Sequence, residues 1–236
     1  MGNAKALDAG QEWNYTSVFD RKFTGTQAKD EIEPARYNLI IGLVLLWGFG
    51  INLLLVQLVP VELLLGIDFR LFLIVYFASC LYGSHLFTTS PVPWVSFAGY
   101  NFVVVPFGLV VNIVTSRYAP AIVFDALRIT AIVTLVMMLF GTYFPDFFER
   151  IERALFVAFL SVVILEVIET FVFGIHHDLF DWIVALLMCG YIGYDWGRAS
   201  RIPKTVDNAV DSAATLYMDI VILFLKILRI LGKNRR

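Results

Sequence analysis

Charge is scarce in this chain of 236 residues: Asp, Glu, Lys and Arg together make up 16% of it, where a soluble domain carries about 25%. Hydrophobic residues reach 59% and the mean hydropathy is +0.76. One globular core cannot bury that much apolar surface, which excludes an ordinary soluble domain and indicates a helical protein of the lipid bilayer. A basic excess is also missing. Eighteen Lys and Arg stand against twenty Asp and Glu, a net charge of −2, so nothing favours a nucleic-acid partner. Cysteine is limited to Cys80 and Cys189, each inside an apolar run, which excludes a disulfide framework and a cysteine metal site. There is no phosphate-binding glycine loop, no G-x-S-x-G and no H-E-x-x-H, and no evident partner for a covalent nucleophile. The expectation is a protein that is not an enzyme and carries no cofactor.

Long polar loops and internal repeats are lacking as well. Residues 1–36 contain no apolar segment of the kind a cleaved signal requires. They read as a polar cytoplasmic tail, in which the aromatics of "EWNYTSVF" (Glu12 to Phe19) are suited to the membrane interface. Residues 37–232 read as a transmembrane domain and 233–236 as a short basic tail.

Seven apolar runs are long enough to cross ~30 Å of hydrocarbon: 37–59, 69–87, 96–116, 119–144, 154–174, 178–197 and 208–231. The breaks between them carry proline, glycine or charge, as in "TTSPVP" (Thr88 to Pro93), "FPDFFERIER" (Phe144 to Arg153) and "RASRIPK" (Arg198 to Lys204). With the N-terminus inside, one side collects Lys5, Arg21, Lys22, Lys29, Arg36, Arg150, Arg153, Arg198, Arg201 and Lys204. The other side holds Arg70, Arg117, Lys233, Arg235 and Arg236. The larger cluster marks the cytoplasmic side, although the basic C-terminal tail pulls the other way.

Charges inside the runs are the functional suspects, because each costs roughly 2.5–3.5 kcal/mol at mid-membrane. Asp195 closes run six and Asp219 interrupts run seven. Both fall in the inner half, where they can approach one another. On run seven, Asn208, Asp211, Ser212, Thr215, Asp219 and Lys226 share one helical face, opposite Leu216, Ile220, Leu223 and Ile227. Such a stripe lines a water-filled path or meets polar partners on neighbouring helices. Two adjacent carboxylates in low dielectric resist ionising together and share a proton, which makes a pH-responsive latch, and their oxygens are hard ligands suited to calcium. The alternative is that each aspartate separately caps a helix or pairs with an arginine such as Arg198. A second group, Asp125 and Arg128 on run four with Glu166 and Glu169 on run five, falls in the outer half. An Arg128–Glu166 clamp between helices is one reading of it, an outer cation-binding step the other. His176, His177 and Asp178 read as a polar turn, His85 as an isolated residue near a helix end.

The stretch "GYDWGRASRIPKTVDNAVDSAATLYMDIVILFLKILRILG" (Gly193 to Gly232) resembles the last two helices of the bacterial branch of the Bax-inhibitor family. The shared pattern is Tyr194-Asp195 ending helix six, a basic loop, Leu216-Tyr217-Met218-Asp219, and Leu228 with Arg229. "FAGYNFVVVPFGL" (Phe97 to Leu109) is similar to the family's third helix. The resemblance implies an all-α membrane fold of seven transmembrane helices, six surrounding a central seventh, in a bacterial cytoplasmic membrane. It implies that Asp195 and Asp219 gate a pH-sensitive calcium leak, with Arg198 as a local cation and calcium as the permeant or bound ion. Arg128, Glu166 and Glu169 depart from the family pattern, as does helix two, whose nearest acidic residue, Asp68, lies at its edge. Two other classes stay open. One is a non-conducting partner of membrane proteases or stress-response complexes. The other is an intramembrane aspartyl protease, although Leu-Tyr-Met precedes Asp219 where such enzymes carry Gly-x-Gly.

Overall fold

A computed structural model of the chain describes residues 31–169 and 177–234; "EWNYTSVF", His176, the end of run five, Arg235 and Arg236 lie outside them. The described residues form helices and connecting turns, with no strand. In chain order the helices are α1 (Pro34–Leu58), α2 (Val61–Leu65), α3 (Phe69–Thr89), α4 (Pro93–Thr115), α5 (Pro120–Tyr143), α6 (Pro145–Ile168), α7 (Asp178–Arg201) and α8 (Val206–Asn234). Four of them, α1, α3, α4 and α5, are long and apolar enough to cross a membrane by length and composition alone.

Local chemistry sets the boundaries. Proline begins α1, α4, α5 and α6, where its missing N–H costs nothing and its fixed φ suits the first turn. The Asp68 carboxylate caps α3 by accepting from the backbone N–H groups of Arg70 and Leu71, each at 3.0 Å. Two boundaries differ from the sequence expectation. The short α2 occupies the first loop, and α6 starts at Pro145, inside the charged segment expected to be a break. Pro145 at the first position and Asp146 in the first turn are helix-starting features that outweigh the polarity of the segment.

The core runs along α8. Its residues are buried on nearly every side, both along the polar stripe and along the face bearing Leu216, Ile220, Leu223 and Ile227. Helices α1, α4, α5 and α7 pack directly against it. The expected ring of six is only partly formed, since α3 stacks mainly on α4 and α6 mainly on α7. Glycine explains the first pairing. A Cβ on Gly83 would sit 2.4 Å from the Gly99 carbonyl oxygen, so α3 and α4 touch backbone to backbone. Large apolar side chains such as Leu46, Phe77, Leu135 and Leu186 point outward, a surface suited to lipid rather than water. Cys80 and Cys189 are free thiols.

Candidate functional site along the α7–α8 seam

Residues 202–205 turn the chain from α7 into α8, and a set of hydrogen bonds fixes that turn. The Thr205 hydroxyl accepts the Asn208 backbone N–H at 3.1 Å, and Asn208 Nδ2 donates to the Pro203 carbonyl at 2.9 Å. Lys204 Nζ donates to the Ala199 carbonyl at the end of α7 (2.8 Å) and lies 4.8 Å from the centre of the Tyr37 ring. Burial lowers the Lys204 pKa from its ordinary value, with Glu31 acting in the opposite sense. The Ile32 N–H donates to the Lys204 carbonyl at 2.7 Å, strapping the chain before α1 across the turn.

Just past the turn, Ser212 Oγ donates to the Asn208 carbonyl at 2.7 Å. Tyr37 Oη lies 3.0 Å from Ser212 Oγ and 3.4 Å from the same Asn208 carbonyl oxygen, so the three groups form one hydrogen-bonded cluster. Asp211 is half-buried, with Tyr37 in its electrostatic reach. Deeper along the seam, Asp195 and Asp219 face each other closely enough for their carboxyl groups to interact. Thr215, one turn before Asp219, lies beside Asp195, while its hydroxyl donates to the Ser212 carbonyl at 3.2 Å. An ionised carboxylate only accepts hydrogen bonds, so two carboxyl groups this close attract each other only when a proton lies between them. Arg198 sits one turn after Asp195 and attracts its charge. From α6, Glu152 approaches the same place, beside Tyr194. Asp219 is 9% exposed, and its Oδ2 is buried without a hydrogen-bond partner.

The other end of the seam carries a second set of charges. Asp181, near the start of α7, is 0% exposed. Its Oδ1 lies 3.2 Å from Lys226 Nζ and 3.6 Å from an Arg229 nitrogen, and its Oδ2 lies 3.5 Å from Lys233 Nζ. Lys226 also reaches Glu166 Oε1 on α6 at 2.6 Å, and Lys233 pairs with Asp178. Contact with Asp178 and then the charge of Asp181 raise the Lys233 pKa.

The expected Arg128–Glu166 clamp is corrected by this arrangement, because the cation at Glu166 is Lys226. Arg128 is exposed, 6.0 Å from the centre of the Phe124 ring. The reason is azimuth: α5 buries Ala126, Thr130 and Thr134, and Arg128, two residues from the first two, lies on the far side of the helix. Asp125 is half-buried on α5, and Glu169 Oε1 pairs with His177 Nδ1 at 2.9 Å. Among the described residues, no group of three or more His, Cys, Asp and Glu side chains is arranged to hold a metal ion.

Asp181, Glu152 and Tyr37 were not anticipated from sequence. A signal for Asp181 does exist. It lies fourteen residues before Asp195 on α7, and Lys233 lies fourteen after Asp219 on α8. In an antiparallel pair with Asp195 against Asp219, Asp181 therefore falls against Lys233. Asp207 was missed as well; its Oδ1 accepts from Ser96 Oγ on α4 at 2.6 Å, and both residues are buried.

Described residues that are all helix and turn, with an apolar outer surface around one buried helix bearing Asp219 and Lys226, define a helical membrane protein. The chain belongs to the Bax inhibitor family, whose sequence model, described as inhibitor of apoptosis-promoting Bax1, matches residues 33–236. Its relatives include an uncharacterized membrane protein of Streptococcus pyogenes serotype M3, 28% identical over 134 residues, which are 54% of this chain and 58% of that protein. An uncharacterized protein of Helicobacter pylori is 28% identical over 114 residues, 47% of each chain. The chain thus spans about half the length of the curated relatives it matches.

Proposed function

We propose that the protein is a pH-gated calcium leak of a bacterial cytoplasmic membrane, in which Asp195 and Asp219 form the latch. The supporting observation is that the carboxyl groups of Asp195 and Asp219 face each other across the seam, with Asp219 buried, a juxtaposition that a shared proton stabilises. In this reading the pair shares a proton at low pH; as pH rises and the proton leaves, two like charges about 4 Å apart repel by about 4 kcal/mol at an effective dielectric near 20. The repulsion loosens α8 from α7 unless a cation enters. Calcium suits the carboxylate oxygens, and Arg198 neutralises the pair while no ion is present. Asn208, Asp211, Ser212 and Thr215 form the approach, and all seven long helices cross the bilayer, with the N-terminus on the cytoplasmic side. The charges of α6, α7 and α8 are compatible with spanning because so many of them pair inside the bundle.

An aspartyl protease mechanism fits less well. Leu216 and Tyr217, just before Asp219, are fully buried, which leaves no approach for a substrate backbone. The protein is therefore read as non-enzymatic.

The test is calcium entry into dye-loaded proteoliposomes between about pH 5 and about pH 8. Wild-type flux rises with pH, while Asp195→Asn and Asp219→Asn flatten the response. If both variants keep the wild-type profile, the latch is wrong. If the wild type shows no flux at any pH, the reading moves to a non-conducting partner of membrane proteases or stress-response complexes.

A further inference from the structure

Lys226 follows Asp219 by two helical turns on the same face of α8, about 10 Å along the axis. An ion that leaves the carboxyl pair along this face meets the Lys226 ammonium next. The residue is 9% exposed, and its Nζ is held by Glu166 of α6 at 2.6 Å and Asp181 of α7 at 3.2 Å. Around it, Asp181, Glu166 and Asp178 contribute three negative charges, and Lys226, Arg229 and Lys233 three positive ones. The balance holds only while Lys226 is charged and in place.

We propose that the Lys226 ammonium occupies a cation position on the path, with Glu166 and Asp181 as its ligands, so that a divalent cation enters this position only by displacing it. Lys226 is then a tethered competitor that determines specificity for the leak, and the inference rests on the proposed function. The geometry separates it from an ordinary surface ion pair. A flexible four-carbon stem carries the charge from α8 to oxygens on two other helices, and the ammonium is a point charge without directional demands. Among the described residues Arg229 and Lys233 pair with Asp181 and Lys226 is the cation at Glu166, so removing the Lys226 charge leaves one carboxylate in excess. Two carboxylates supply at most four of the six to eight oxygens calcium takes. Water completes the shell, and the site binds a hydrated divalent ion weakly enough to release it.

The experiment uses the full chain and two readouts, calcium binding by titration calorimetry in detergent and calcium against potassium flux in proteoliposomes. Lys226→Met is expected to tighten calcium binding by about tenfold or more and to raise the calcium-to-potassium flux ratio. Lys226→Arg, which keeps the charge, stays close to wild type, and Lys226→Met/Glu166→Gln loses the gain. Should Lys226→Met fail to fold, Lys226→Gln, whose amide can donate to both carboxylates, takes its place in the same comparison. If the neutral variant binds calcium no better than wild type while Asp219→Asn still abolishes the pH response, Lys226 is only a clamp between helices, and the latch stands. If the neutral variant gains the site although the wild type conducts at no pH, the cation position is upheld and the leak reading fails.

Discussion

Tyr217 on α8 donates its hydroxyl to Asn52 Oδ1 on α1 at 2.8 Å, and both side chains are buried. This bond fixes the rotation of the central helix two residues before Asp219. The Tyr217 ring meets the Tyr100 ring edge-on at 5.4 Å, and Tyr100 in turn donates to the Val44 carbonyl at 3.1 Å. Tyr217→Phe keeps the aromatic packing and strands the Asn52 oxygen. The expected loss is about 1 kcal/mol, in line with polar contacts between membrane helices, read as a lower midpoint of thermal unfolding in detergent. Asn52→Ala should cost a similar amount, and the double variant little more than either single one.

Close helix approach gives a second prediction through a contrast between glycines. Gly83→Ala places a Cβ 2.4 Å from the Gly99 carbonyl oxygen and forces α3 away from α4, an overpacking cost of about 1–3 kcal/mol. A Cβ on Gly50 meets nothing within 4 Å. Gly50→Ala should therefore stabilise its helix by up to about 1 kcal/mol. Unfolding midpoints that shift in opposite directions support the packing described; a neutral Gly83→Ala contradicts it.

The ends of α6 and α7 are joined by Arg201, which pairs with Asp146 and lies 2.8 Å from Glu149. The hydrogen bond from Arg201 and then its charge hold the Asp146 pKa below the ordinary carboxylate value. A carboxylate with a depressed folded pKa adds stability above its unfolded pKa and loses it as pH falls through the folded value. The difference in unfolding midpoint between wild type and Arg201→Ala should thus be small and constant near neutrality. It should begin to fall below about pH 4 and vanish only once pH has passed below the depressed folded pKa of Asp146. It should also shrink in high salt, because these groups are exposed and screened. A difference that persists in acid places the effect of Arg201 in packing instead.

Much of this architecture is legible in sequence because lipid-facing helices must be long and apolar. The seven runs fall on the seven long helices among the described residues, the end of run five lying outside them, and the stripe from Asn208 to Lys226 marks α8 as unlike the rest. What sequence conceals is azimuth and pairing. Arg128 and Glu166 lie at similar expected depth, yet depth cannot say which way a side chain points around its helix, and Arg128 faces outward. Asp181 reads as an ordinary first-turn acid, a residue that favours a helix start wherever it sits. Only the antiparallel register of α7 on α8 turns it into the hub of a charge network. Spacing alone left the proximity of Asp195 and Asp219 open between a latch and two independent caps; the resemblance of the last two helices to the Bax inhibitor family pointed to the pair. The start of α6 was hidden by its own charges, since "FPDFFERIER" has the composition of a loop and the capping pattern of a helix.

The most direct measurement of the central claim records two signals from the same proteoliposomes through a pH series: the infrared band of protonated carboxyl groups, and calcium flux. The account predicts that a protonated-carboxyl band fades with the same midpoint at which flux rises, and that Asp195→Asn and Asp219→Asn each alter that band and abolish the pH step in flux. A flux step that occurs while the band is unchanged, or that survives in both variants, would contradict it.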